Sequence, residues 1–220
     1  MKWKEKRFLF VGVVFILLFI IWTAMIKNID VQPVGPQMTY VGFAKFNSWF
    51  HDLTGVHMEL YTLTDWLGIV PVAVCLIFGT FGFSQMIGRK SLFKVDKDII
   101  LLGIYYVIVI MGYLIFEIIP INYRPIAING IIEVSYPSST TLLVLSVMPT
   151  MIFQTNLRLK NSFMKGAIQG CVILFMTFMV TGRLISGVHW FTDIVGGVFL
   201  SAGLFHIYKG MVLMSIKGHR

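Results

Sequence analysis

What most constrains this sequence is a series of six apolar runs with basic residues gathered on alternate connections. The runs cover about residues 8–26, 66–87, 99–119, 139–153, 167–185 and 194–214. A helix needs about 20 mostly apolar residues to cross a bilayer, and most of the runs come close to that length. The fourth is shorter and carries Pro149, where a kink is expected. A soluble domain of 220 residues could not hide a composition that is 57% hydrophobic and 13% charged, with mean hydropathy +0.82. The expected fold class is therefore all-α: a polytopic membrane protein with a six-transmembrane-helix bundle, built as one integral-membrane domain over residues 1–220. The first run resembles a signal peptide, but it is long and no small-x-small cleavage site follows, so an uncleaved anchor is expected.

The basic residues set the orientation. Lys2, Lys4, Lys6 and Arg7 precede the first run. Arg89, Lys90, Lys94 and Lys97 separate the second from the third, and Arg158, Lys160 and Lys165 the fourth from the fifth. Lys209, Lys217 and Arg220 close the chain. Six crossings put these fourteen of the 18 Lys and Arg on one face, which the positive-inside rule makes the cytoplasm. Both termini are then cytoplasmic, in a multi-pass protein of the plasma membrane. The net charge of +8 is explained by topology, with no patch or stripe suited to nucleic acid. Cys75 and Cys171 lie inside apolar runs and read as small core or lipid-facing residues, not as a disulfide framework or a metal site.

One long outer loop is expected over about residues 27–65. Within it Phe43, Phe46, Trp49, Phe50 and Leu53 recur at helical spacing, interleaved with Lys45, Asn47, Ser48, His51 and Asp52. This predicts an amphipathic helix that either lies flat at the lipid–water interface or packs on the bundle.

Three polar clusters adjoin the outer ends of the runs. The third, residues 182–193, holds Arg183 at the end of the fifth run and Asp193 at the start of the sixth. Charges beside hydrocarbon are costly and are usually kept for a partner or a function. His189 and Asp193 are four residues apart, so one helical turn puts them on one face. A carboxylate bonded to one imidazole nitrogen frees the other as nucleophile or base, and Arg183 offers a planar fork of donors for phosphate oxygens. The plainer reading is a His–Asp cap pair beside a snorkelling Arg183, with Trp190 and Phe191 in an aromatic belt. The second cluster is Pro137 followed by Ser138, Ser139, Thr140 and Thr141, which opens a helix whose N–H groups and hydroxyls could hold an anion or simply cap it. The first contains Arg124-Pro125. Together they make a phosphate site with a nucleophile.

In these clusters the chain resembles the type-2 phosphatidic acid phosphatase superfamily. The family pattern is K-(six residues)-R-P, then P-S-G-H, then S-R-(five residues)-H-(three residues)-D. Here Arg124-Pro125, Pro137-Ser138, and Arg183, His189 and Asp193 match it in order and spacing. The resemblance implies a lipid phosphatase at the outer leaflet, working through a phosphohistidine. His189 would be the nucleophile and Asp193 its orienting partner. Arg124, Arg183 and Ser138 would hold the phosphoryl oxygens, with Ser139 and Thr140 beside them. No cofactor and no metal is implied; the partners are a lipid phosphate or polyprenyl diphosphate and the membrane lipids.

Three positions depart from the pattern. Glu117 stands at the family's lysine, Ser139-Thr140 at its Gly-His, and Gly182 at its serine. The absent histidine would protonate the leaving oxygen, a contribution of about 10²–10⁴-fold. An alkoxide needs that proton. A lipid monophosphate leaving a diphosphate does not, since phosphate monoesters have a second pKa near ~6, which points toward a polyprenyl diphosphate. A non-catalytic relative that binds lipid phosphate head groups is the alternative that Glu117 and Thr140 favour. An unrelated transporter would show broken helices and polar residues at mid-membrane, whereas the runs are almost free of charge there.

Overall fold

A computed structural model describes residues 3–35 and 38–217; Lys2 and Arg220 of the basic pattern lie outside them. The elements are α1 (Trp3–Asn28), a short antiparallel pair β1 (Gln32–Val34) and β2 (Thr39–Val41), α2 (Ala44–Thr54), α3 (Met58–Trp66), α4 (Ile69–Arg89), a 3₁₀ turn (Leu92–Lys94), α5 (Lys97–Ile118), α6 (Ser139–Arg158), α7 (Ser162–Ile185) and α8 (Phe191–Lys217). Six helical stretches are long and apolar enough to cross a membrane, so the all-α polytopic expectation holds.

Helix α8 is the central element and packs against α1, α5 and α6. Close approach of α1 needs glycine at the contact. A Cβ on Gly12 would stand 2.8 Å from the Ile207 backbone nitrogen, and one on Gly203 2.7 Å from Ile16 Cδ1. Small residues let membrane helices pack by dispersion where no hydrophobic effect drives them together. Apolar side chains from α5, α6 and α8, such as Leu102, Phe153 and Val212, fill the half of the bundle away from the three polar clusters. Val144, Val147 and Met179 join α6 to α7. Of the cysteines, Cys171 is exposed on the outer surface of the bundle and Cys75 partly buried; both are free thiols.

Helix α6 runs through Pro149 to Arg158 instead of ending near Phe153. Proline removes one backbone donor and crowds the preceding turn. In the same turn Tyr105 Oη donates to the Ser146 carbonyl at 3.0 Å, and Thr150 Oγ1 to the Val147 carbonyl at 2.6 Å. Side-chain bonds from neighbouring helices and residues help membrane helices tolerate proline.

The long outer loop is shorter than the sequence suggested. Residues expected to be loop form α3, which continues into α4 after a break at Leu67-Gly68, so that this crossing extends from Met58 to Arg89. The amphipathic helix is α2, and it packs on the bundle. Its inner face clamps the start of α8: Asn47 Nδ2 donates to Thr192 Oγ1 at 3.0 Å and to the Gly42 carbonyl at 2.8 Å. Trp49 and Leu53 remain 57% and 67% exposed on the other face.

Candidate functional site

The α5–α6 and α7–α8 connections bring the three polar clusters together at one end of the bundle. Between α5 and α6 the chain makes a small hairpin. Ile128 and Ile131 exchange backbone hydrogen bonds across Asn129-Gly130, which both have positive φ (52° and 79°). Asn-Gly suits such a two-residue turn because both positions tolerate φ > 0. The hairpin pairs the Arg124 N–H with the Glu133 carbonyl at 3.0 Å and the Ser135 N–H with the Asn122 carbonyl at 2.9 Å. Its register sets Arg124 beside Glu133, and their side chains form an ion pair at 2.9 Å.

His189 sits in the connection between α7 and α8 and is 4% exposed. Its Nδ1 lies 3.1 Å from the Ser135 carbonyl oxygen. A carbonyl only accepts, so Nδ1 carries the proton and Nε2 keeps its lone pair. Nε2 is buried with no hydrogen-bond partner. Burial lowers the imidazole pKa below 6.5; the Asp193 carboxylate opposes that shift, and the Arg124 charge adds to it. The ring is therefore neutral at pH 7 with its free nitrogen available.

Asp193 is not the direct partner that sequence spacing suggested. Its Oδ2 is 3.9 Å from His189 Nδ1, too long for a hydrogen bond. The carboxylate instead accepts from the Trp190 backbone N–H at 2.9 Å and from Asn122 Nδ2 at 3.0 Å. The first bond is the returning half of a capping box at the start of α8. Asp193 thus ties the His189 loop to α8 and to the α5–α6 connection, and reaches the ring only through its charge.

Arg183 is 2% exposed, near the C-terminal end of α7. Its Nη2 donates to Asp65 Oδ1 at 2.7 Å and to Thr140 Oγ1 at 2.5 Å. The Tyr61 ring lies between the two arginines, 4.8 Å from Arg183 Cζ and 5.8 Å from Arg124 Cζ. In both guanidiniums Nε and Nη1 are buried without partners. Each arginine therefore spends one nitrogen on a carboxylate and keeps donors for a ligand.

Two adjoining cavities open here. The smaller, about 140 Å³, is lined by Glu117, Arg124, Glu133, Ser135, Ser139 and His189, with Tyr113, Phe116 and Tyr136 among its aromatic walls. The larger, about 310 Å³, lies between the α3–α4 break, α5 and α6 and is mostly apolar, with Asp65 and Thr140 at its edge. They share Tyr113 and Ser139. The site residues expected from sequence are thus divided. Arg124, Ser139 and His189 face the polar cavity. Thr140 faces the apolar one and holds Arg183. Ser138 is buried behind both, its backbone N–H donating to the Asp193 carbonyl at 3.1 Å and its Oγ unpartnered.

Sequence reading missed Tyr61 and Asp65, which stand one turn apart on α3, and the Ser135 carbonyl. The spacing of Tyr61 and Asp65 was the available signal, hidden by reading their segment as loop. Gly182, at the family's serine, has a local cause: a Cβ there would stand 2.7 Å from Thr64 Cγ2 on α3.

No family model matches this chain, and no curated protein matches it. A solved structure does: the crystal structure described as the first transmembrane PAP2 type phosphatidylglycerolphosphate phosphatase from Bacillus subtilis. The similarity covers 96% of this chain and 100% of that one, with a TM-score of 0.69 and 17% sequence identity. This chain therefore has that transmembrane fold over almost its whole length.

Proposed function

We propose that this chain belongs to the type-2 phosphatidic acid phosphatase superfamily and is a membrane lipid phosphatase of the outer leaflet, with both termini cytoplasmic. The carrying observation is a buried, neutral His189 that lines the same cavity as Arg124, with His189 Nε2 and Arg124 Nε and Nη1 all lacking partners. A mere cap histidine would have no reason to present a desolvated lone pair to an arginine. Fold likeness to a phosphatase supports the reading, and the chemistry comes from the site.

In the proposed reaction a lipid phosphate or diphosphate head group enters the polar cavity while its chain rests along the apolar one. Nε2 forms a bond to phosphorus and the bond to the leaving oxygen breaks. Arg124 and Arg183 donate to the equatorial oxygens, where preorganised donors act without reorganisation. The Nδ1 proton stays on the Ser135 carbonyl bond, so the charge built on the ring meets the Asp193 carboxylate. Water then attacks the phosphohistidine and releases phosphate and neutral His189. A departing lipid phosphate needs no proton; a departing alkoxide takes one from water, because the Thr140 hydroxyl already serves Arg183.

The test is phosphate release by purified protein in detergent from polyprenyl diphosphate, phosphatidate and phosphatidylglycerophosphate, with acid-labile phosphoprotein trapped during turnover. His189→Ala should abolish both signals. The second reading, a non-catalytic binder of lipid phosphates, draws on Glu117 and Thr140. It takes over if wild type and His189→Ala bind a substrate equally and neither turns it over.

A further inference from the structure

The apolar surface of the bundle is not uniform. Between α4, the 3₁₀ turn and α5, in the half away from the polar clusters, lies a groove of about 360 Å³. Gly79, Gly82 and Gly103 form its floor, and Phe83, Met86 and Leu92 stand among its walls. Glycine in a membrane helix usually serves close helix contact, as Gly12 and Gly203 do between α1 and α8. Here it does not: no neighbouring atom lies within 4 Å of where a Cβ on Gly79 or Gly103 would stand. The groove follows α4 from Cys75 to Met86, about 16 Å at the helical rise. One leaflet of hydrocarbon is about 15 Å deep, half of the full core. An extended acyl chain therefore matches the groove in depth and in chemistry. A second apolar depression, about 460 Å³, lies on the other side of α5, against α1 and α8. Ile100 lines both, and Lys97 edges the second. Two chains of one lipid fit astride α5.

The connection at the groove mouth carries unbalanced positive charge. Arg89 is paired with Asp96 at 2.7 Å, and Asp98 with Arg158 at 2.6 Å. Lys90 and Lys94 are exposed, and among the described residues no carboxylate pairs with either. Lys90 closes α4 in the left-handed conformation, at φ 53°, where glycine is the unstrained residue. A cation stands there against the preference of the backbone. Between the two lysines Phe93 is 93% exposed, next to Leu92 on the groove wall. An exposed ring flanked by unpaired lysines suits the boundary between acyl chains and anionic head groups. A second copy of the chain is the poorer occupant. Two-fold symmetry about the membrane normal would set the same lysines at the same level, like charge against like.

We propose that the α4–α5 groove binds one anionic diacyl phospholipid of the inner leaflet, with a chain along Gly79, Gly82 and Gly103 and its phosphate at Lys90 and Lys94. The inference takes the membrane orientation from the reading above but not the phosphatase activity, since the groove lies in the other half of the bundle from His189.

The test is native mass spectrometry of full-length protein released from detergent micelles that contain dioleoyl phosphatidylglycerol or dioleoyl phosphatidylcholine, which share their chains. A lysine at an anionic surface contributes about fivefold, so one phosphatidylglycerol should bind about fivefold tighter than phosphatidylcholine, or more. Lys90→Gly combined with Lys94→Ser should bring the ratio close to one; glycine suits the turn at residue 90, so this variant should fold. Gly103→Leu should weaken both lipids several-fold by filling the groove, and its side chain has open space to enter. Lys160→Ser, in the α6–α7 connection, and Arg124→Ala, in the candidate site, should keep the preference. Equal binding of the two lipids by wild type, an equal loss of preference in Lys160→Ser, or binding indifferent to Gly103→Leu would overturn the groove site. Loss of the preference in Arg124→Ala would put the lipid in the phosphate site and overturn it too. A dimer that Gly103→Leu disrupts, with no lipid selectivity, would give the groove to a second copy instead. Because the readout is binding, failure of the phosphatase reading would leave these outcomes unchanged.

Discussion

Replacing Asp193 with Asn separates two ways of orienting His189. If the carboxylate set the tautomer, as in a hydrolase triad, the amide would invite the wrong one and kcat would fall about 10⁴-fold. Here the Ser135 carbonyl holds Nδ1–H at 3.1 Å, and the carboxylate stands 3.9 Å away. Its share in catalysis is then mainly Coulombic. At 3.9 Å and an effective dielectric of about 20, a full charge on the ring is worth about 4 kcal/mol. A half-developed charge in the transition state is worth about 2 kcal/mol, so kcat should fall between roughly 30-fold and 10³-fold, with KM little changed. The structural cost is separate. Both groups now bonded to Asp193, Asn122 Nδ2 and the Trp190 N–H, are donors. Asn offers one oxygen to the two of them, so one buried donor goes unmet at about 1–3 kcal/mol, seen as a lower unfolding temperature in detergent. The deciding assay is ¹⁵N NMR of histidine-labelled protein, with His189 identified among the five histidines by His189→Gln. The Nδ1–H tautomer should persist in Asp193→Asn. A switch to Nε2–H would refute the assignment of the Ser135 carbonyl as the orienting group.

Four further outcomes follow from the geometry. Burial holds the His189 pKa below 6.5, so kcat/KM should stay level from neutral pH down through 6.5 and drop only in more acid solution; a fall centred at or above 6.5, after correction for substrate ionisation, would contradict a buried neutral ring. The same shift has a stability consequence: the unfolded chain binds the proton more readily, so stability is complete above about 6.5 and is lost as pH falls toward the folded value, which a melting series on wild type and His189→Gln would reveal. Gly182→Ser should destabilise by about 1–3 kcal/mol through overpacking against Thr64, and the double variant with Thr64→Ala should recover most of the loss. A cysteine placed at Asn129 should react with an impermeant reagent from outside intact cells while one at Lys94 should not; the reverse labelling would invert the topology.

The fold was legible because bilayer crossing is a demand on composition and length, and charge between the runs adds orientation. The breaks were less so. Residues 58–66 mix Glu59, Thr62, Thr64 and Asp65 with apolar neighbours, and no hydropathy window separates such a helix from a polar loop. Pro149 invited an early end to α6, but the Tyr105 hydroxyl that meets the Ser146 carbonyl comes from another helix, and sequence order does not show it. The site divides in the same way. Arg124, Arg183, His189 and Asp193 announce themselves because charge beside hydrocarbon needs a reason. The Ser135 carbonyl does not, since every residue has one, and only the hairpin across Asn129-Gly130 brings it to the imidazole.

Helix α3 accounts for two of the three departures from the family pattern together. Thr64 and Asp65 are consecutive on it, and Tyr61 lies one turn earlier. Thr64 occupies the space a side chain on residue 182 would need. Asp65 draws Arg183 Nη2 to itself at 2.7 Å, and Thr140 Oγ1 shares that nitrogen at 2.5 Å. A histidine at 140 would meet a guanidinium already engaged on that side. Serine 182 and histidine 140 are thus displaced by one packed surface, and the arginine they would flank is held by α3 instead. Glu117 belongs to a different surface, the wall of the polar cavity formed by α5 and the hairpin. Gly182 and Thr140 should therefore respond as a unit to changes at Thr64 and Asp65, whereas Glu117 should respond only to the charge of what enters the cavity. Residues that share a contact couple by about 0.5–3 kcal/mol and separated ones add. Double-mutant cycles of Asp65→Asn with Thr140→Ala and with Glu117→Gln, read as melting temperature, should show coupling in the first pair and additivity in the second. Additivity in both would mean that Asp65 and Thr140 hold Arg183 independently and that α3 is not the common cause.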